Sequence, residues 1–443
     1  MKDRIPWRIE GMAISAVLCL LFACFIVFPQ TVIAQPFDIM QITNTTVGDS
    51  GSPSINADGS RIAFYSTSDL VPGNNVDVSS EIFLYNATTG TFTQITSTTG
   101  GSGSPSISAD GTRIAFQSDR NIVPPDNADL TYEIFLYNST TSSIVQITNT
   151  PIGGSGNFTP AISADGTRIA FKSDRDIVPT NNADGNFEIF IYNATAGTFI
   201  QITDTTAGDI GSPSINADGT RIAFNSNRDL VGGSNADLND EIFLYNTTAG
   251  TFTQITNTLA GGNYSPSIDA NGTRIAFYSN RNIVPPNNAD GNSEIFLYST
   301  TTGTFTQITN TSGGINNDVR MSSNGTRIAF ESNRDLVPGN NADLNGEIFF
   351  YDTTTGTFTQ ITNTPVGGTV DAVSINANGT QVAFNSNRDL TGANTDRNSE
   401  IFLAEFAEHI GIPTMTQRGM IIFVVLAGLG AAYYIRRQKT AKS

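Results

Sequence analysis

The sequence predicts an all-β protein, a seven-bladed β-propeller of four-stranded blades, closed by an N-terminal strand that completes the last blade. Three observations lead there. First, one phrase recurs every 52 to 55 residues: RIAF begins at Arg61, Arg113, Arg168, Arg221, Arg274 and Arg327, with QVAF at Gln381. Fixed periods of this length mark solenoids and propellers. Second, EIF begins at Glu81, Glu133, Glu188, Glu241, Glu294, Glu347 and Glu400, so each unit repeats more than one strand. Third, QIT begins at Gln41, Gln94, Gln146, Gln201, Gln254, Gln307 and Gln360, one strand out of phase with the others. A lone fourth strand therefore precedes the first unit, and the last unit, Asp371 to Phe406, lacks one. Seven copies of each element, shifted circularly by one strand, are what a ring needs to close.

Within a unit the candidate strands are SPSIN, RIAFYS, EIFLYN and TFTQIT. Asp58-Gly59 and its six counterparts, of which Asn271-Gly272, Asn324-Gly325 and Asn378-Gly379 carry Asn, suit the positive φ of a tight hairpin between strands one and two. Asn86 to Gly90, NATTG, repeats that logic between strands three and four. In EIFLY, Ile82 and Leu84 point to one face, and Phe83 and Tyr85 to the other. A strand apolar on both sides needs a neighbour on both sides, which stacked blades provide. A linear stack would require polar end units, and no unit is atypical in that way.

The composition fits an exported β-protein: 443 residues, 41 Gly, 14% charged residues and a formal charge of -17. Residues 1–34 read as a signal peptide: Lys2, Arg4 and Arg8, an apolar run from about Gly11 to Phe28, and cleavage after Ala34. Cys19 and Cys24 and the single Trp7 lie within it, so the mature chain is expected to hold no disulfide. Residues 409–443 carry Ile412-Pro413-Thr414, an apolar helix over about 420–435, then Arg436, Arg437 and Lys439. Sixteen helical residues span ~24 Å, short for a bilayer core. The plain reading is a C-terminal membrane anchor with a cytoplasmic tail. The propeller is expected over 35–408. Setting aside eight basic and two acidic residues at the ends leaves 15 basic against 38 acidic, a body repelled by phosphate backbones, so nucleic acid is excluded as a partner.

Two resemblances follow from particular residues. Ile412, Pro413, Thr414 and Gly419, with the helix and basic tail, resemble the IPTL-type C-terminal sorting domain of Gram-negative surface proteins, with Met415 and Arg418 departing from it. That resemblance implies an exosortase-like sorting enzyme as a partner and an envelope or cell-surface location. SDRD at Ser173 to Asp176 and DGNFEIF at Asp184 to Phe190 resemble the WD-repeat-like units of TolB-type and tricorn-type propellers, over essentially the whole body. Here each unit carries an insert such as Ile177 to Ala183.

Chemistry is sparse. The one histidine, His409, lies beyond the last strand, so His-dependent triads, zinc sites and thiol nucleophiles are not expected in the ring, nor is any catalytic residue assigned. An Asp stands four residues before every strand-three Glu, and six units carry an Arg ahead of the loop: Arg120, Arg175, Arg228, Arg281, Arg334 and Arg388. The structural reading pairs Arg with carboxylates while Asn and Asp cap turns. The functional reading is Ca²⁺ held by Asn182, Asp184, Asn186 and Glu188 as alternating oxygen ligands, without the full EF-hand pattern. No other cofactor is expected. Units six and seven misquote the repeat: Asp318 and Arg320 replace small residues on the innermost strand, and Asp371 stands there in unit seven, giving a candidate channel site. Lys172 and Glu331 follow AF in strand two, where other units have Tyr, Gln or Asn.

Three functions compete on these grounds. The first is a non-enzymatic, envelope-anchored module binding a protein or glycan at the rim of the two–three loops. The second is a carbohydrate-active hydrolase or lyase using channel carboxylates, disfavoured by scarce aromatics for sugar stacking. The third, a Tol-like envelope component, rests on resemblance alone.

Overall fold

A computed structural model describes residues 37–406, apart from 125–126, 152, 180–181, 207, 260 and 365–367. The expected signal peptide, its cleavage at Ala34, the sorting motif and the C-terminal helix lie outside the described residues. Those described contain no helix, and fall into seven four-stranded antiparallel sheets.

The first blade shows the pattern: Ser50–Ile55, Arg61–Ser66, Glu81–Asn86 and Thr91–Gln94, in that order from channel to periphery. Gly59, at φ 77°, makes the first hairpin, and Gly90, at φ 68°, the outer one, where Asn86 Oδ1 accepts from Thr88 N at 3.0 Å. The first strand starts two residues earlier than SPSIN suggests, because a bulge follows Gly51 and puts Ser52 at φ 49°. Blade four is the exception, its first strand reduced to Ser214–Ile215 beside an isolated bridge at Ile210.

Closure follows the expected circular shift. Phe37–Gln41 lies antiparallel to Glu400–Phe406, with Phe37 opposite Phe406 and Gln41 opposite Phe402, as the fourth strand of blade seven.

The two-faced strand three accounts for the core. Ile82 and Leu84 pack with Ile107, Ile114, Phe116 and Phe135 of blade two, while Phe83 and Tyr85 pack with Ala383, Ile401 and Leu403 of blade seven. Seven such clusters fill the interfaces between blades. In every blade the RIAF or QVAF Phe meets the EIF Phe, as Phe64 meets Phe83 at 6.0 Å between ring centroids.

Polar links reinforce these interfaces. At the hairpin end of the channel a ring of backbone hydrogen bonds runs from Ala57 through Ala109, Ala164, Ala217 and Ala270 to Ser323, and from Asn324 through Ala377 back to Ala57, each 2.9 to 3.2 Å. The channel narrows there to a cavity of about 140 Å³. Further up, Ser54, Ser106, Ser214, Ser267 and Ser374 each accept from the first-strand N–H of the next blade. Arg61, Arg113, Arg221, Arg274 and Arg327 reach in the other direction, from Nη1 to the hairpin Gly carbonyl of the following blade.

Candidate binding site at the channel mouth

Strand polarity brings the two–three loops and the links between blades to one rim, as expected from the sequence. Inside that rim the channel holds a cavity of about 490 Å³, lined by the Ser and Pro residues in the middle of the first strands with Arg320, Met321 and Val373.

The strand-three Glu residues stand just behind this rim and are fully buried. Each accepts from the N–H and hydroxyl of a Thr: Glu133 takes Thr150 N at 2.7 Å and Oγ1 at 2.6 Å, and Glu400 takes Thr45. The expected Arg–carboxylate pairing occurs across the blade boundary. Arg228 of blade four meets Glu188 of blade three at 2.7 Å, and Arg388 meets Glu347 at 2.9 Å. Arg120 and Arg175 instead pair with their neighbours Asp119 and Asp174. Arg334 donates to the carbonyls of Ser312 and Gly313, and Arg281 lies alongside Gly261.

The Ca²⁺ candidates sit in this loop region of blade three. Asn182 is buried and its Nδ2 donates to the carbonyls of Arg175, at 3.2 Å, and Asn186, at 2.9 Å. Asn186 Nδ2 donates to Asp184 Oδ2 at 3.2 Å and to Thr205 O. Glu188 Oε1 serves Thr205 and Arg228. The loop thus turns amide N–H groups toward its own oxygens. Among the described residues no three His, Cys, Asp or Glu side chains gather closely enough to hold a metal ion.

The channel candidates do come together. Asp318, at φ 45°, accepts from Val373 N at 2.6 Å and so joins blades six and seven, and its other oxygen lies 3.4 Å from Arg320 Nη1. Arg320 occupies the place of the Ser that in five other blades accepts from the next blade. Asp371 accepts from its neighbour Ala372 N at 2.8 Å. Glu331 faces both carboxylates: burial first, then Asp371 and Asp318, push its carboxyl up to about 7, with Arg388 opposing.

Three registers account for most of the divergence between blades at this mouth. One is the second residue of strand one: Gly51, Gly103, Phe158, Gly211, Tyr264, Asn317 and Asp371. The next is the fifth residue of strand two: Tyr65, Gln117, Lys172, Asn225, Tyr278, Glu331 and Asn385. In six blades, all but the interrupted blade four, these two registers face each other directly. The third register, missed from sequence, is the residue before the buried Glu: Ser80, Tyr132, Phe187, Asp240, Ser293, Gly346 and Ser399. Contacts tie it to the second: Lys172 Nζ lies 5.3 Å from the Phe187 ring centroid, and Asn225 Nδ2 donates to Asp240 at 3.2 Å.

The fold also corrects the impression of scarce aromatics. Tyr132, Phe158 and Phe187 form a chain with centroid separations of 5.2 and 6.0 Å across blades two and three, and Tyr264 meets Tyr278 at 5.4 Å in blade five. Residues thinly spread along the chain are gathered at one opening. Lys172, partly buried there, has its ammonium pK lowered by burial, with Asp209 acting against that shift.

No protein-family model and no curated protein matches the chain. Solved structures do. An oligogalacturonate lyase from Vibrio parahaemolyticus aligns at 13% identity and TM-score 0.58, covering 84% of this chain and 98% of that one. The β-propeller domain of the Trilobed protease from Pyrococcus furiosus aligns at 14% and 0.54, covering 84% and 99%. TolB from Acinetobacter baumannii, at 14% and 0.42, covering 84% and 80%, and the tricorn protease are also among the structural neighbours. At such identities the likeness to the first two establishes the fold alone: the chain is a seven-bladed β-propeller.

Proposed function

We propose that the protein is an exported, envelope-anchored propeller that binds a protein or glycan partner at the wide mouth of its channel without transforming it. One observation carries this reading. Seven blades that repeat their scaffold nearly word for word diverge at three adjoining registers, and those registers lie side by side at the loop end of the strands. Where the same backbone needs are met seven times, freedom to differ belongs to positions whose task is outside the scaffold. The test exchanges Phe158, Lys172 and Phe187 for the Gly, Tyr and Ser that blade one carries, then compares what the full-length protein retains from its own envelope. Loss of defined partners supports the reading, and an unchanged set counts against it.

A hydrolase or lyase working through Asp318, Asp371 and Arg320 is the second reading, favoured by Glu331. A carboxyl titrating near neutrality beside two further carboxylates is suited to general acid–base work. Screening polysaccharides with the protein and its Asp318→Asn variant tests it, and turnover unaffected by the substitution would remove it.

A further inference from the structure

The mouth is not equally filled around the ring. Three blades carry Gly at the innermost register, and in two of them the strand-two side chain of the same blade occupies the space. A Cβ on Gly51 would lie 2.7 Å from Tyr65 Oη, and one on Gly211 2.0 Å from Asn225 Oδ1. Gly103 differs, since a Cβ there meets nothing within 4 Å. The reason is Gln117, whose side chain turns toward blade three, where its Oε1 accepts from Thr159 N at 2.9 Å. An open notch is left at blade two, next to the strand that begins Asn157-Phe158.

The wall on the blade-three side is the chain of rings Tyr132, Phe158 and Phe187, all partly exposed. Lys172, directly opposite Phe158, lies over Phe187. It is the one lysine between residues 35 and 411, in a body with 38 acidic residues, and among the described residues it forms no ion pair. A partly dehydrated ammonium with no carboxylate at ion-pair distance, Asp209 acting on it only from farther off, is a poor device for stability and a good one for an incoming anion.

We infer that the notch between blades two and three takes a ring-shaped ligand whose apolar face lies on Phe158 and Tyr132 and whose carboxylate meets Lys172. The inner strands disfavour a peptide held by its main chain, because their bulges and blade-to-blade hydrogen bonds leave no straight strand edge for pairing. The chemistry that remains is a carboxylate on a six-membered ring with an apolar face, supplied either by the C–H face of a uronic-acid residue of an acidic glycan or by the flat ring of a small aromatic acid.

This inference rests on the mouth being the binding face. The experiment titrates the full-length protein with a glucuronate-containing tetrasaccharide, the same sugar with its carboxyls reduced to alcohols, and benzoate. Two variants borrow residues that other blades hold at these registers, so the fold is kept: Lys172→Gln, as Gln117, and Gly103→Tyr, as Tyr264. Gly103 needs no left-handed backbone, so the Tyr is tolerated. Binding of the tetrasaccharide, at least about tenfold weaker for its reduced form and for both variants, is expected and names the glycan. Binding of benzoate alone with the same dependence keeps the site and names the aromatic acid. Equal binding of the reduced sugar, no dependence on Lys172, or no acid bound at all overturns the inference. If no acid binds yet partner retention is lost in the three-residue exchange, the mouth reading survives. If retention is also unchanged, both fall.

Discussion

Asn157, at the start of blade three, reaches back to Glu133 of blade two, its Nδ2 2.9 Å from Glu133 Oε2. Asn263 and Asn316 do the same for Glu241 and Glu294. Where the next blade starts with Ser102, Ile210 or Ser50, the corresponding oxygen of Glu81, Glu188 or Glu400 is buried and receives no such amide. Ser102→Asn is therefore expected to stabilise the fold by about 1 kcal/mol, and Asn157→Ala to cost about 1–3 kcal/mol, by urea denaturation. Destabilisation by Ser102→Asn would show that the site beside Glu81 has no room for the amide.

Glu331 sets a pH dependence. Its folded pK, about 7, stands above the ordinary carboxylate value, so between roughly pH 4.5 and 7 the folded state holds a proton that the unfolded chain has lost. Stability should therefore fall as pH rises through that window. Glu331→Gln should flatten the decline and gain on the order of 2 kcal/mol at pH 8, once solvent screening at this partly exposed site is allowed for. Identical melting-versus-pH curves for the two proteins would remove Glu331 as the cause.

The loop of Asn182 to Glu188 yields an expectation about metal. Of the oxygens a Ca²⁺ ion would need, Asp184 Oδ2 accepts from Asn186 and Glu188 Oε1 is taken by Thr205 and the Arg228 guanidinium, a cation already in place, while the amide oxygens of Asn182 and Asn186 and Glu188 Oε2 are buried without a protein partner. A chelator should leave the melting temperature unchanged, and a drop reversed by added Ca²⁺ would restore the ion.

Much of this architecture was legible because its determinants are local. Asp58-Gly59 and Asn86 to Gly90 announce hairpins, and the two-faced EIFLY announces blade stacking. What was hidden involves partners about one blade away. Arg61 looks like an ordinary strand residue until Gly111, fifty residues on, proves to be its acceptor. Arg228 suggests a carboxylate partner without saying which, and the ring supplies the preceding blade's Glu188. The aromatic wall escaped for a related reason: Tyr132 and Phe158 belong to different repeats and adjoin only once two blades pack.

The seam between the first and last strands of the propeller provides the last prediction. Phe37 lies 4.1 Å from Phe406 and 6.1 Å from Phe350 between ring centroids, Ile39 packs into the same cluster, and Thr45 supplies both hydrogen bonds to the buried Glu400. A ring closed here has no free end blade from which to fray, whereas a linear array unfolds from its ends. Phe37→Ala should cost about 1–3 kcal/mol, the ring being only partly buried. Thr45→Val should cost a further 1–3 kcal/mol by stripping the hydroxyl from a buried carboxylate. Because both hold the one strand that closes the ring, the double variant should depart from additivity, with blade seven and its two neighbours, blade six at Phe350 and blade one at Ser68, losing hydrogen-exchange protection together. Protection lost in blade seven alone would mean that the seam fastens a single sheet and contributes nothing to the ring.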